Sequence, residues 1–565
     1  MHRYYAARER RSVLGERGLR ILAWGAALLC LLPIIAVALA ALGGNLETWR
    51  SLSETVLPRF TLTTLKLVLM VAAGTFAIGT GAAWLVATCR FPGARVLEIG
   101  LALPLAFPAY VLAYAYTNLL DHPGAVQTWL RAITGWGPRD YWFPEIRSLG
   151  GAALMLTLVL YPYVYLLARA AFLQQSSGAY LAARTLGKPP LEAFLRISLP
   201  MARPAIAGGV ILTVMETIAD FGTVAHFGVQ TFATGIYQSW FSMGDRVASA
   251  QLALCLLGVA LTLAILERIQ RGAAKRYPTR GAVNTMQHQQ LTGWKGWTAT
   301  TACTLPVLFG FLLPILLLGS MAIDSGQSLL APRYVGFMQN SLTLSSLAAV
   351  LTVTAAVLIG FTARLRPSKA TRTMTLLAGL GYAVPGGVIA VGLMVPFAHL
   401  DNALASFAKA NFGFSTGLLF TGSIWLLVIA YMVRFMAAAL SAFDTGITQI
   451  NPNIDAAART LGKTPATMIT RVHLPLMRTS LLTGLLIVFV DAMKELPATL
   501  IMRPFNFDTL AVQAHRLASD ERLEQAAVPS LVIVAFGLLP VILLCRALSG
   551  NKGPLRNTDA QPAYK

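Results

Sequence analysis

Charged side chains are scarce in this chain: they make up 12% of its 565 residues, with 24 acidic against 45 basic. So little charge, beside 56% hydrophobic residues and a mean hydropathy of +0.63, excludes a string of soluble domains, in which roughly a quarter of residues are charged. Cysteine is equally sparse. Cys30, Cys89, Cys255, Cys303 and Cys545 are scattered, mostly inside or at the end of apolar runs, without metal-ligand or disulfide spacing, and read as small buried hydrophobes. His226, His473 and His515 are isolated, so no metal site is expected from them. A phosphate-binding loop is missing as well. Lys463-Thr464 follows Gly462, but that loop needs a glycine where Ala457 stands, and no other Gly-Lys-Ser or Gly-Lys-Thr occurs. The chain has no visible means of hydrolysing ATP.

What is present is a succession of apolar runs. About 20 such residues cross a hydrocarbon core. Twelve runs begin near Leu19, Leu62, Val96, Gly151, Pro204 and Ala248, then near Thr298, Ser341, Thr373, Gly417, Thr479 and Ala527. The run Leu19 to Leu42 is too long for a cleaved signal peptide and reads as a retained helix. The net charge of +21 would suit a nucleic-acid partner only if the basic residues shared one domain, and they do not. They cluster at the ends of apolar runs: the amino terminus, Arg90 with Arg95, Arg184 to Arg203, Arg268 to Arg280, Arg364 to Arg372, Arg459 to Arg478, and Lys552 with Arg556. All fall on one side of the membrane, which is therefore cytoplasmic. Loops of mixed sign, such as Asp121, Arg131, Arg139, Asp140, Glu145 and Arg147, or Asp520 to Glu524, face the other side.

The chain is also duplicated. Ala182-Ala183-Arg184-Thr185-Leu186-Gly187-Lys188 recurs 275 positions later as Ala457-Ala458-Arg459-Thr460-Leu461-Gly462-Lys463, and Pro190, Pro200 and Arg203 fall on Pro465, Pro475 and Arg478. Six spans per half return the chain to the same side, so the repeats are parallel and both termini are cytoplasmic. The expected fold is an all-α polytopic membrane protein. Its parts are a basic amino terminus (1–18), a first transmembrane domain (19–268), a cytoplasmic linker (269–297), a second transmembrane domain (298–548) and a tail (549–565).

Each repeated string predicts a short helix broken at a glycine, which accepts a left-handed turn at little cost. Pro190 or Pro465 then starts a second helix, and Pro200 or Pro475 is expected to end it. In both copies nine residues separate the glycine from a β-branched-x-Leu-Pro element, Ile197-Ser198-Leu199-Pro200 and Val472-His473-Leu474-Pro475. This spacing resembles the EAA loop of ABC-importer permeases, the membrane subunits of binding-protein-dependent uptake systems. The naming glutamate is replaced by Leu181 and by Ala456, with Asp455 one residue earlier. Asp220-Phe221-Gly222-Thr223 and Lys494-Glu495-Leu496-Pro497-Ala498-Thr499 are similar to the ferric-iron permeases in particular.

The resemblance implies a type I ABC-importer transmembrane domain, duplicated in one chain of the bacterial inner membrane. It also implies two copies of a cytoplasmic ATPase that uses ATP and Mg, a periplasmic ferric-binding protein, and no cofactor on this chain. Thiamine, polyamine and phosphonate are the other cargoes such a scaffold carries. On this reading the loops, about 178–203 and 453–478, dock on the ATPase through Ala182, Ala183, Arg184, Gly187, Pro200, Ala457, Ala458, Arg459, Gly462 and Pro475.

After each loop an apolar run holds paired acids, Glu216 with Asp220 and Asp491 with Glu495, and Lys494 beside the second pair. Spacing of i, i+4 puts both members on one helix face. Ionisable groups at membrane depth either line a water-filled path or pair between helices, and both readings stand for these five. Pro385-Gly386-Gly387 marks a kink or a close helix contact. An ion-coupled secondary transporter is the alternative class, but it leaves the duplicated cytoplasmic loop without a purpose.

Overall fold

The computed structural model describes residues 2–44, 46–175, 183–274, 289–328, 331–448 and 450–549. Ten helices among them are long and apolar enough to cross a membrane, and two bent pairs bring the number to twelve when each is counted as one span. The first half contributes Arg17–Leu42, Leu57–Thr88, the pair Ala94–Ala106 with Ala109–Thr134, Leu149–Leu173, Phe194–Ala219 and Arg246–Glu267. The second contributes Trp294–Asp324, Pro332–Leu365, Gly386–Phe412, Ile424–Ile447, the pair Pro465–Leu476 with Arg478–Met493, and Leu523–Leu543.

The runs starting at Val96 and Thr373 are not straight. In the first, the chain forms Ala94–Gly100 and a 3-10 turn, Leu103–Ala106, then swings through 94° into Ala109–Leu120. The second repeats this with Lys369–Ala378, the 3-10 turn Gly379–Ala383 and the helix Gly386–Phe412. A proline causes each break. Pro108 and Pro385 push the preceding residues, Phe107 (ψ 131°) and Val384 (ψ 118°), out of helical geometry. Pro385 thus begins a helix rather than kinking one.

In lipid, apolar surface gives little drive for one helix to seek another, so close backbone approach does more of the work. A Cβ on Gly381 would stand 2.0 Å from the Val433 carbonyl oxygen, and one on Gly79 would stand 2.8 Å from that of Tyr161. Gly381→Ala is accordingly expected to cost about 1–3 kcal/mol of stability. Thermal unfolding of the purified chain measures it, and an unshifted midpoint would count against this contact.

The leading helix of each half packs on the other half. Pro33 lies against Gly392, whose added Cβ would come within 2.4 Å of the Pro33 carbonyl oxygen, and Gly310 is placed likewise at 2.9 Å from that of Leu158. One apolar core joins Ala23, Ala27 and Cys30 to Leu344, Ile389 and Leu426. A second joins Tyr114 and Leu156 to Phe311, Leu318 and Val534. Both cores draw on both halves, so the sequence repeat is not a pair of separately packed bodies. Gln289–Gln290 pairs in parallel with Cys89–Arg90. Of the linker, 275–288 lies outside the described residues, as does 550–565 of the tail.

Candidate functional site

The acids after each loop do not share a helix face as their spacing suggests, because the helices stop too soon, at Ala219 and at Met493. Asp220 instead closes the first turn of the next short helix, Gly222–His226. Its Oδ2 accepts from the N–H groups of Thr223 and Val224 at 3.1 Å each, and its Oδ1 accepts from the Thr223 hydroxyl at 3.0 Å. Glu495 does the same for Pro497–Met502, accepting from the N–H of Ala498 at 3.1 Å, the N–H of Thr499 at 3.2 Å and the Thr499 hydroxyl at 2.9 Å. A helix start leaves N–H groups unsatisfied, and a carboxylate supplies both acceptors and the favourable charge.

The four acids nevertheless meet at one chamber of about 140 Å³, room for several water molecules. It lies on the seam of the halves. Tyr110, Tyr163, Glu216 and Asp220 line it from the first, and Tyr382, Arg434, Asp491, Lys494 and Glu495 from the second. Tyr163 falls about 21 Å along the helix Leu149–Gln174, at 1.5 Å per residue, which puts the chamber near mid-membrane. Lys494 Nζ pairs with Asp491 Oδ1 at 2.9 Å, three residues back rather than across to another helix. The Tyr382 hydroxyl donates to Glu216 Oε1 at 3.1 Å. Arg434 escaped the sequence reading as a single basic residue in the apolar helix Ile424–Ile447. The repeat could have exposed it, since Val159 occupies the matching place in the first half and Ala219 matches Lys494.

Towards the mixed-sign loops the chamber is closed by rings. Tyr110 and Tyr114 occupy successive turns of Ala109–Leu120 with centroids 5.7 Å apart. The Tyr114 hydroxyl lies 3.2 Å from His515 Nδ1, joining the halves, and His226 Nε2 lies 3.0 Å from the Thr117 hydroxyl. Beyond them Arg147 donates to Asp121 at 2.7 Å and, through both terminal nitrogens, to Glu521 at 2.7 Å. This hydrogen-bonded guanidinium holds the Glu521 carboxyl below its ordinary range.

At the other end, the two repeated loops share a backbone. Gly187 and Gly462 take φ of 81° and 64°, the left-handed region. Lys188 N–H then donates to the Ala183 carbonyl at 3.1 Å, and Lys463 N–H to that of Ala458 at 3.0 Å, the wide closing bond of a glycine-ended helix. Ala183 and Ala458 are buried, while Arg184, Gly187, Ala457 and Gly462 are exposed. Ala182 lies outside the described residues, and Arg459 belongs to the helix Pro452–Thr460. The loop tips are Leu186, 81% exposed, and Leu461, 72% exposed, two matched leucines that sequence reasoning did not single out.

Pro200 does not end its helix, whereas the segment that holds Pro475 stops one residue after it, at Leu476. Each loop carries a π turn, Phe194–Ser198 and Ile469–His473, and both prolines follow within the first turn of the next helical segment. The wider turn and the early position make the missing N–H harmless. In the first half, helix therefore runs unbroken from Phe194 to Ala219; in the second, the chain bends by 82° at Met477. Asp455 is turned inward. Its Oδ2 accepts from Arg364 Nε at 2.8 Å, and its Oδ1 stands 2.9 Å from Nε2 of the fully buried His473. That approach is close enough for an ion pair but not aligned as a hydrogen bond.

Residues 75–277 and 352–549 match a family described as binding-protein-dependent transport system inner membrane component. The chain is 26% identical to Fe(3+)-transport system permease protein FbpB 2 of Haemophilus influenzae, over 85% of this chain and 88% of that one. It is 27% identical to probable ABC transporter permease protein y4fN of Sinorhizobium fredii, over 95% and 97%. Similarity of 27% to the molybdenum transport system permease protein ModB of Escherichia coli spans 32% of this chain and 78% of the relative.

Proposed function

For a chain that belongs to the family of binding-protein-dependent transport system inner membrane components, we propose that the cargo is iron(III) and that its path runs through the charged chamber. The observation that carries this reading is the chamber's composition, four carboxylates against two cations at mid-membrane. Such a wall favours a multivalent cation. The relative named for Fe(3+) transport, matched over 88% of its length, supports the same cargo. Molybdenum and 2-aminoethylphosphonate, named in shorter relatives, are the second choice, since four carboxylates against two cations disfavour an oxyanion that arrives without a metal cation.

The protein is the multi-pass inner-membrane subunit of the transporter. In this proposal the loop tips Leu186 and Leu461 each enter the cleft of one ATPase copy on the cytoplasmic side, where both termini also lie. ATP and Mg act there and not on this chain. A ferric-binding protein delivers iron at the opposite face, above Arg147 and Glu521. Fold alone does not decide cargo, so uptake must.

In iron-starved cells lacking other iron routes, deletion of the chain should abolish ATP-dependent uptake of radioiron. The double variant Glu216→Gln with Asp491→Asn should lower uptake about ten-fold or more while the ATPase still assembles. Normal uptake after deletion would reject iron; normal uptake by the double variant would reject the path.

A further inference from the structure

Every carboxylate lining the chamber already has a partner. Asp220 and Glu495 accept from the turns they close, Asp491 holds Lys494, and Glu216 accepts from Tyr382. Arg434 is different. Among the described residues its guanidinium has no hydrogen bond or ion pair, and its ring neighbour is Phe435 at 5.9 Å. Gly386 lets it approach the backbone closely: a Cβ there would come within 3.1 Å of Arg434 Nη1 and 2.4 Å of Glu495 Oε1, so the cation and a chamber carboxylate flank one point of the chain without pairing. A guanidinium carries five donors in a planar fork that matches oxyanions, and leaving them unmet at membrane depth is costly.

We propose that Arg434 binds an oxyanion, and that iron(III) crosses the chamber as a complex with that anion rather than as a bare ion. This deepens the iron reading and rests on it. A bare trivalent ion suffers a desolvation penalty that grows with the square of its charge, and an accompanying anion removes most of it. The metal side of the complex faces Glu216 and Asp491, and the oxygens of the anion take the fork of Arg434. The two signs of charge on one wall thereby have one explanation. The first half, with Val159 in the matching position, has no such group, so the complex enters in one orientation.

The test is double-label uptake into proteoliposomes holding the complete transporter, supplied with ATP. They are offered radioiron(III) alone, a labelled anion alone (inorganic phosphate, carbonate or citrate), and the two together. The expected result is that iron and one anion enter together, that Arg434→Gln lowers both about ten-fold or more, and that Arg434→Lys recovers part of the loss. Amounts of each variant in the membrane are matched. Iron entering without any anion, at equal rates in the intact chain and Arg434→Gln, would overturn this inference and leave the iron reading standing. An anion entering alone while iron stays outside would overturn the iron cargo itself.

Discussion

Arg364→Ala is expected to destabilise the folded chain by about 3–5 kcal/mol, because it strands a buried carboxylate. Arg364 sits at the end of Pro332–Leu365 and reaches across to Asp455, whose side chain is only 10% exposed. It also donates to the Ile450 carbonyl at 3.1 Å, so one side chain holds the entry and the first turn of the second coupling loop. With it gone, Asp455 keeps only His473, which is itself buried against Phe361. The double variant Arg364→Ala with Asp455→Ala should regain most of the loss, since an absent charge needs no partner. Thermal unfolding of the purified chain measures both. If the double variant is no more stable than the single, the ion pair is not the origin of the effect. The acid nearest the place of the missing glutamate thus serves its own chain, and in the proposed docking contact with the ATPase falls to the exposed tip.

The second large effect concerns that tip. Replacing Gly187 and Gly462 together by valine should abolish ATP-coupled uptake, at a backbone cost of about 1–3 kcal/mol in each loop. Both glycines have left-handed φ, which a β-branched residue resists strongly. Among the described residues, its own chain neighbours aside, nothing lies within 4 Å of a Cβ built on Gly187, so the loss expected there comes from backbone geometry or from the partner's cleft. Asparagine separates the two causes, because it tolerates left-handed backbone. The asparagine pair should keep most of its uptake while the valine pair loses it, with ATP hydrolysis continuing in both. Equal loss in the two pairs would place the constraint in the cleft, and full uptake by the valine pair would remove the glycines from coupling altogether.

Much of this architecture was legible because membrane insertion leaves long-range marks on composition. A run of about 20 apolar residues is the mark of a bilayer-spanning helix, so ten spans, or twelve with each bent pair counted as one, were visible as apolar runs, and the 275-residue repeat paired the two loops and their glycines. Left-handed turns at Gly187 and Gly462 follow from local sterics alone, which is why the residue type announced them.

Tertiary structure decided the rest. Helical spacing put Glu216 and Asp220 on one face, but the unwinding after Ala219 turned Asp220 into the closing group of another helix. Spacing had no means of showing that break, since the capped N–H groups belong to residues further along the chain. Arg434 gained its meaning only when a helix of the second half was set beside Glu216 and Tyr163 of the first. The exchange of leading helices depended on where Gly392 and Gly310 let two backbones touch, and the inward turn of Asp455 on an arginine 91 residues away. Composition and periodicity act within a turn or a span, and so they determined the elements. Charge pairing, cavity shape and backbone contact act between elements, and they are settled only when the elements meet.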